Sequence, residues 1–305
     1  MATITPQHLE KYHELVSQGW SQRAACKALG VARATLQVQL RKIMHPKKGP
    51  RILLLDFETA PSLAYVFGRW KQNIRTPSVV REGAYFLTGA WKWLGNPQVH
   101  AVACADPVHG DDFNICIDLY EALEQADAVV AHNLDAFDWP LFLTRLVQNG
   151  ILPPRTVKHI DTLKIARKNF RFNSNKLDDL ARYLNVGQKI ETDMTLWVEA
   201  CAGNAAAMRK MVEYNIQDIH LLEAVYLALR AFDSNPQLNA SHYYVDTLLR
   251  CPVCGSSDVE DSGGEVFTPV SAFVEMKCNA CGHRSRKRQP HNTKEKRASV
   301  LVTPR

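Results

Sequence analysis

The sequence lacks any hydrophobic run that approaches the length of a bilayer-spanning helix. Its first residues, Met1 through His8, also lack the charged and then apolar segments that mark a secretory signal. With 46% hydrophobic and 22% charged residues, the 305-residue chain has the composition of a soluble globular protein. We therefore expect a cytoplasmic protein with no membrane partner, built as one core domain with small additions.

The eight cysteines fall into two groups. Four lie scattered among apolar neighbours and are expected to be reduced, packed thiols: Cys26, Cys104, Cys116 and Cys201. The other four form two C-x-x-C pairs: Cys251 with Cys254, and Cys278 with Cys281. In an intracellular protein these pairs favour one structural Zn²⁺ over disulfides. Residues 251–283 resemble a zinc ribbon, because the segment between the pairs is rich in Val, Phe and Thr.

Positive charge is concentrated at both ends of a chain whose net charge is +6. Residues 1–50 contain eight Lys/Arg against two Glu, and residues 282–305 contain eight against one, so the middle is acidic. Basic ends would attract phosphate while an acidic centre holds cations. The alternative is that the charges only keep the ends of the chain solvated. Residues 284–305 contain few large apolar residues and are expected to be disordered.

Three short helices are expected in residues 1–45, with Ser21 capping the second helix and Gly30 ending it. The stretch from Ser21 to Leu36 resembles a helix-turn-helix of recombinases and regulators. Its third helix would face a nucleic-acid groove with four polar side chains: Arg33, Thr35, Gln37 and Arg41. The alternative is a three-helix bundle that binds protein or packs on the core. Residues 46–50 are expected to be a linker.

Residues 51–232 predict a mixed α/β sheet with helices on its faces, because strands come first and then alternate with helices. The apolar run Ile52–Leu55 predicts a buried central strand. Further strands are expected at Phe86–Trp93, Gln98–Ala105, Ala128–Ala131 and His159–Asp161. Residues 233–250 are expected to connect this domain to the cysteine module.

Acidic residues follow two of these strands. Asp56 and Glu58 come directly after the first apolar run, and residues two apart in a strand project from the same face. Asp138 follows the strand at Ala128–Ala131 and begins a helix, whereas Asp135 is expected to be a solvated loop residue. Asn133 would either orient this turn or contact a nucleotide sugar.

Tyr214 and Asp218 lie one turn apart on a predicted helix, so they share a face. Together with Asp56, Glu58 and Asp138, Asp218 completes a set of four carboxylates that would repel one another without cations between them. Mg²⁺ and Mn²⁺ prefer such oxygen ligands, and two of these ions can clamp an in-line displacement at phosphorus. The pattern therefore predicts a metal-dependent nuclease.

The motifs Asp-x-Glu, His-Asn-x4-Asp and Tyr-x3-Asp, in this order, resemble the DEDD superfamily of 3′→5′ exonucleases in its tyrosine subgroup. The middle motif is most similar to the proofreading domain of family B DNA polymerases, although this chain has no polymerase domain. The resemblance implies a ribonuclease H-like mixed sheet flanked by helices, beside the small all-α helix-turn-helix and small β zinc ribbon. It also implies that Asp56, Glu58, Asp138 and Asp218 bind two Mg²⁺ or Mn²⁺ ions and that Tyr214 positions the hydrolytic water.

Two further roles follow from this resemblance and its departures. Asp161 stands where relatives often have a structural Asp after a strand. The segment between Ala60 and Gly83 is rich in aromatic and basic residues, including Arg69 and Trp70. These side chains would either stack bases and grip a backbone or form a packed flap.

We expect a stand-alone 3′→5′ exonuclease that releases nucleoside 5′-monophosphates from single-stranded or frayed DNA. The helix-turn-helix and the zinc ribbon would hold the nucleic acid, with protein docking as the alternative role of the ribbon. Two alternatives for the whole chain are a structure-selective endonuclease or RNA nuclease on the same fold, and a DNA-binding regulator with a vestigial nuclease core. The sequence does not distinguish DNA from RNA as substrate.

Overall fold

A computed structural model describes residues 6–18, 20–31, 49–68, 70–71, 74, 78–234 and 236–303. The chain divides into two compact units. One unit comprises Met1–Gly49 with Ser241–Leu248, and the other comprises Pro50–Ala240 with Leu249–Arg305. No helix in the described parts of the chain is long and apolar enough to cross a membrane.

The N-terminal unit contains helices α1, Pro6–Ser17, and α2, Gln22–Ala28. Ser21 caps α2, since its hydroxyl accepts a hydrogen bond from the backbone N–H of Ala24 at 3.2 Å. Gly30 follows α2 with φ +64°, a conformation that glycine adopts without steric cost. The predicted third helix, with Arg33, Thr35, Gln37 and Arg41, lies outside the described residues. The helix-turn-helix therefore stays a prediction.

The larger unit is built on a five-stranded mixed sheet with the order β5-β4-β1-β6-β7. The strands are β1 Ile52–Thr59, β4 Phe86–Trp93, β5 His100–Ala103, β6 Ala128–Ala131 and β7 Lys158–Asp161. Strands β1, β6 and β7 run parallel, whereas β4 and β5 pair antiparallel. The expected mixed sheet is confirmed, and its apolar first run is the central strand.

Helices flank this sheet. They are α3 Phe113–Leu123, α4 Asp138–Gln148, α5 Thr162–Asn169, α6 Leu177–Tyr183, α7 Met194–Cys201 and α8 Ala205–Leu229. The 25-residue α8 begins at the cap Asn204, packs against β1 and β4, and continues as a short 3-10 turn at Arg230–Phe232. The core includes Phe57, whose ring stacks on that of Phe86 with centroids 4.0 Å apart. This stacking packs β1 against β4.

A small two-stranded arm is inserted between β1 and β4. Its strands are β2, Leu63–Ala64, and β3, Val79–Arg81, which pair antiparallel. At its base, the backbone N–H of Ala60 donates to the carbonyl of Tyr85 at 2.9 Å. The arm therefore leaves the sheet directly after the strand that carries Asp56 and Glu58.

The C-terminal module is a three-stranded sheet with the order β10-β9-β8. Its strands are β8 Val259–Phe267, β9 Ala272–Cys278 and β10 Arg284–Arg286, and a short helix, α9, follows at Lys294–Ala298. The expected disorder of residues 284–305 is wrong for β10 and α9. Strand β10 pairs antiparallel with β9, and the side chain of Thr293 caps α9. These hydrogen bonds to the backbone order a segment that has little apolar content.

Candidate active site

The carboxylates of β1 share one face of the central strand. Phe57 points into the core on the opposite face, so the alternation of side chains turns Asp56 and Glu58 toward α8. The pairing register of β1 shifts between Glu58 and Thr59, as at a β-bulge beside an active site. Carboxylate oxygens of Asp56, Glu58 and Asp218 all lie within 4.8 Å of one another. The structure thus brings together side chains that are 160 residues apart in the chain.

Helix α8 supplies three residues to this cluster from one face. Tyr214 and Asp218 lie one turn apart, and both side chains are buried. Between them, Asn215 donates a hydrogen bond from Nδ2 to Asp56 Oδ2 at 2.7 Å. Asn215 therefore holds one carboxylate in place. Asn215 was not among the site residues predicted from the sequence, although its position three residues before Asp218 predicts the same helix face.

Lys189 also belongs to the site, although it was not among the residues predicted from the sequence. Its ammonium group donates to Asp218 Oδ2 and to the hydroxyl of Tyr214, the latter at 3.1 Å. It also lies 5.1 Å from the centre of the Tyr214 ring. Lys189 comes from the loop between α6 and α7, where no motif or periodic pattern distinguishes it.

The electrostatics of the cluster oppose ionisation of every carboxyl group. Burial raises the pKa of Asp56 well above its ordinary value, and the charges of Asp218, Glu58 and Asp138 raise it further. Burial, followed by the charge of Asp218, raises the pKa of Glu58 to about 8. Burial also raises the pKa of Asp218, against the opposing charge of Lys189. Such a cluster has excess negative charge that a bound cation would neutralise.

Asp138 lies at the margin of the cluster. It begins α4 and is buried, and its charge raises the pKa values of Asp56 and Glu58. Burial, with a smaller effect of Asp161, raises its own pKa to about 7. Its oxygens, however, are not part of the set within 4.8 Å that the described residues form. Asp135 is turned elsewhere, because it pairs with His159 Nδ1 and Lys164 Nζ, each at 2.6 Å.

Asp161 organises the turn that positions Asp138. Its Oδ1 accepts hydrogen bonds from the backbone N–H groups of Asn133 and Leu163, both at 3.0 Å, so it caps α5 and holds the loop after β6. Asn133 has φ +73°, in the left-handed region that Asn tolerates better than most residues. This backbone conformation fits the expected role of Asn133 in orienting the turn, and its contact with a nucleotide sugar stays a prediction.

The donor set fits divalent cations. Three carboxylates, those of Asp56, Glu58 and Asp218, lie together near the ammonium group of Lys189, and Asp138 lies at their margin. Asp218 Oδ1 is buried and has no hydrogen-bond partner among the described residues. A buried charged oxygen without a partner is costly unless a cation or donor satisfies it. Oxygen ligands of this type suit Mg²⁺ or Mn²⁺.

The four cysteines of the C-terminal module form a second candidate metal centre. Their sulfur atoms lie within 4.8 Å of one another, with Cys251 and Cys281 Sγ 3.7 Å apart and Cys254 and Cys278 Sγ 3.6 Å apart. Tetrahedral zinc with Zn–S bonds of ~2.3 Å requires sulfur separations of about 3.8 Å, whereas a disulfide requires ~2.05 Å. The geometry therefore fits a tetrahedral metal and not a disulfide.

Part of the chain is similar to known proteins. The family model described as the RNase_H superfamily matches residues 80–230, a range that includes Asp138, Tyr214 and Asp218. This part of the chain is therefore similar to the RNase H superfamily, and the mixed α/β sheet is consistent with a ribonuclease H-like fold. A solved structure of the family B DNA polymerase from the hyperthermophilic archaeon Pyrobaculum calidifontis is similar, with a TM-score of 0.44 and 13% sequence identity. The similarity covers 60% of this chain and 25% of the polymerase chain. A search of curated proteins returns no match.

Proposed function

We propose that this protein is a metal-dependent 3′→5′ exonuclease that hydrolyses phosphodiester bonds of single-stranded or frayed DNA. The supporting observation is the convergence of Asp56, Glu58 and Asp218 oxygens within 4.8 Å, beside Tyr214, on a ribonuclease H-like sheet. This arrangement concentrates negative charge where a scissile phosphate and its cations would meet.

The side chains have distinct proposed roles. Asp56, Glu58 and Asp218 would hold two Mg²⁺ or Mn²⁺ ions, with Asp138 at the margin as the fourth ligand. When bound, these ions would lower the pKa of the attacking water and offset charge on the leaving 3′-oxygen. Tyr214 and Glu58 would orient that water, and Asn215 would keep Asp56 aimed at the site through its 2.7 Å hydrogen bond.

The test is cleavage of matched DNA and RNA strands labelled at either end, with Mg²⁺, Mn²⁺ or EDTA. We expect wild-type protein to release mononucleotides from the 3′ end only when a divalent ion is present. Asp218→Asn should remove most of this activity. Asp135→Asn is the matched control. Asp135 lies in the turn before Asp138, but it pairs with His159 and Lys164 outside the cluster.

The products decide between the proposal and its alternatives. Cleavage of a circular single strand would show an endonuclease, and preference for RNA would change the substrate class. Strand binding without divalent-ion-dependent cleavage would contradict the proposed enzyme and favour a DNA-binding regulator.

We also propose that the cysteine cluster binds one Zn²⁺ in a structural role. All four tetrahedral positions would be filled by thiolates, which leaves none open for substrate or water. The module contacts the nuclease domain through His283, whose Nδ1 donates to the carbonyl of Ala231 at 2.8 Å. Zinc content measured on purified protein should equal one atom per chain.

A further inference from the structure

The described part of the arm between β1 and β4 exposes three aromatic residues. Tyr65, Phe67 and Trp70 are almost fully exposed, with relative accessibilities of 80%, 112% and 86%. Exposed aromatic rings grouped on one segment mark a binding surface more often than isolated exposed residues do. The exposure disfavours the packed flap that the sequence left open.

The base of this arm is anchored, although its rings are exposed. Gly83 N–H donates to the hydroxyl of Ser62 at 2.9 Å, and Arg81 donates to the carbonyl of Cys201 at 3.2 Å. A Cβ added at Gly83 would lie 2.5 Å from the backbone of Ala60 and Pro61, so the two sides of the base approach as closely as glycine allows. The arm therefore leaves the sheet from a fixed base.

The arm also starts beside the candidate active site. Tyr65 follows Glu58 by seven residues, so their Cα atoms are at most about 25 Å apart, the length of roughly seven stacked nucleotides at ~3.4 Å each. The segment is basic in sequence, because Arg69 lies between Phe67 and Trp70, and Lys71 and Arg75 follow Trp70. Aromatic rings close in sequence to positive charges suit a chain of bases linked by phosphates.

We infer that the arm binds single-stranded nucleic acid by stacking its bases on Tyr65, Phe67 and Trp70, and so guides a strand to the carboxylate cluster. This inference rests on the proposed function, because it assumes a nucleic-acid substrate. Every base has a flat aromatic face, so stacking of this kind is tolerant of sequence. A blunt duplex keeps its bases stacked on one another and does not offer those faces to the arm.

The test measures strand binding by fluorescence anisotropy in EDTA, where cleavage plays no part. Phe67→Ala and Trp70→Ala should each weaken binding of a single-stranded oligonucleotide by roughly 5- to 150-fold, the range of one base–aromatic stack. Phe113→Ala is the matched control, since Phe113 is an exposed aromatic residue at the start of α3. It should bind like the wild type.

A second strand of the same length, with abasic residues in place of nucleotides, separates stacking from other effects. Wild type and arm variants should bind this strand equally, because it has a backbone and no bases. Equal binding of the normal strand by wild type and arm variants would overturn the inference. Arm variants that lose affinity equally for the normal and the abasic strand would overturn it as well.

Size-exclusion chromatography tests whether the arm instead binds a second copy of this protein. If the wild type were a dimer and the arm variants monomers, with strand binding unchanged, the arm would be an interface between copies and the inference would be overturned. Failure of the proposed exonuclease would appear separately, as absence of divalent-ion-dependent cleavage by wild-type protein that still binds strands through the arm.

Discussion

Replacing Glu58 with Gln removes a charge that the folded protein holds unfavourably. Burial and the neighbouring charge of Asp218 raise the pKa of Glu58 from 4.5 to about 8. Gln keeps the size of the side chain and its hydrogen-bonding capacity but has no proton to lose. The substitution therefore tests whether the carboxylate cluster is electrostatically strained without a cation.

The magnitude follows from linkage between ionisation and folding. Below pH 4.5, Glu58 is protonated in both the folded and the unfolded chain, so it has no effect. As the pH rises toward 8, the unfolded chain ionises first, and the folded state loses stability until both are ionised. The difference between 4.5 and about 8 corresponds to about 5 kcal/mol at ~1.4 kcal/mol per pH unit, an upper limit because Asp218 shares the repulsion.

The assay is thermal unfolding in EDTA at pH 5 and at pH 8. We expect Glu58→Gln to be more stable than wild type by up to about 5 kcal/mol at pH 8, or roughly 10 °C in Tm, and nearly equal at pH 5. Adding Mg²⁺ should then stabilise wild type more than the variant, because a ligand that binds only the folded state adds to its stability.

Glu213→Gln is the matched control, since Glu213 lies exposed on the same helix as Asp218. It should show no such dependence on pH. A Glu58→Gln protein less stable than wild type at pH 8, or a stability difference that does not change between pH 5 and pH 8, would refute the reasoning.

Three other changes test separate parts of the structure. Lys189→Met removes the cation that opposes the raised pKa of Asp218, so the pH–rate profile should shift to higher pH with at least a tenfold loss of activity; an unchanged profile would contradict the role of Lys189. Asp161→Ala leaves buried backbone N–H groups unsatisfied and uncaps α5, so urea unfolding should show a loss of about 1–3 kcal/mol. Cys278→Ser should lose the zinc that elemental analysis detects. Cys116→Ser, which changes a buried cysteine outside the C-terminal module, should keep it.

Several elements were predictable because their signals are local. Strands β4 and β6 have the expected bounds, Phe86–Trp93 and Ala128–Ala131, since both are short runs of residues suited to buried strands. Strand ends were less predictable: the strand expected at Gln98–Ala105 spans only His100–Ala103. The ends of a strand depend on which groups of the neighbouring strand pair with its backbone N–H and C=O, and these come from another element of the fold.

The sequence by itself determined which site residues share a face. Asp56 and Glu58 are two apart on a strand, and Tyr214 and Asp218 are four apart on a helix, so backbone periodicity alone aligns each pair. The cysteine pairs are likewise defined by their spacing, and their sulfur atoms converge in the structure.

Only the tertiary structure decided which pairs meet and what else joins them. The packing of α8 on β1 brings Asp218 to Asp56, and the loop between α6 and α7 places Lys189 against both Asp218 and Tyr214. No periodic pattern encodes a contact made by a loop residue, because the contact depends on how distant elements pack. The exposure of Trp70 was undetermined for the same reason, since an aromatic side chain is buried or exposed according to what the rest of the fold places beside it.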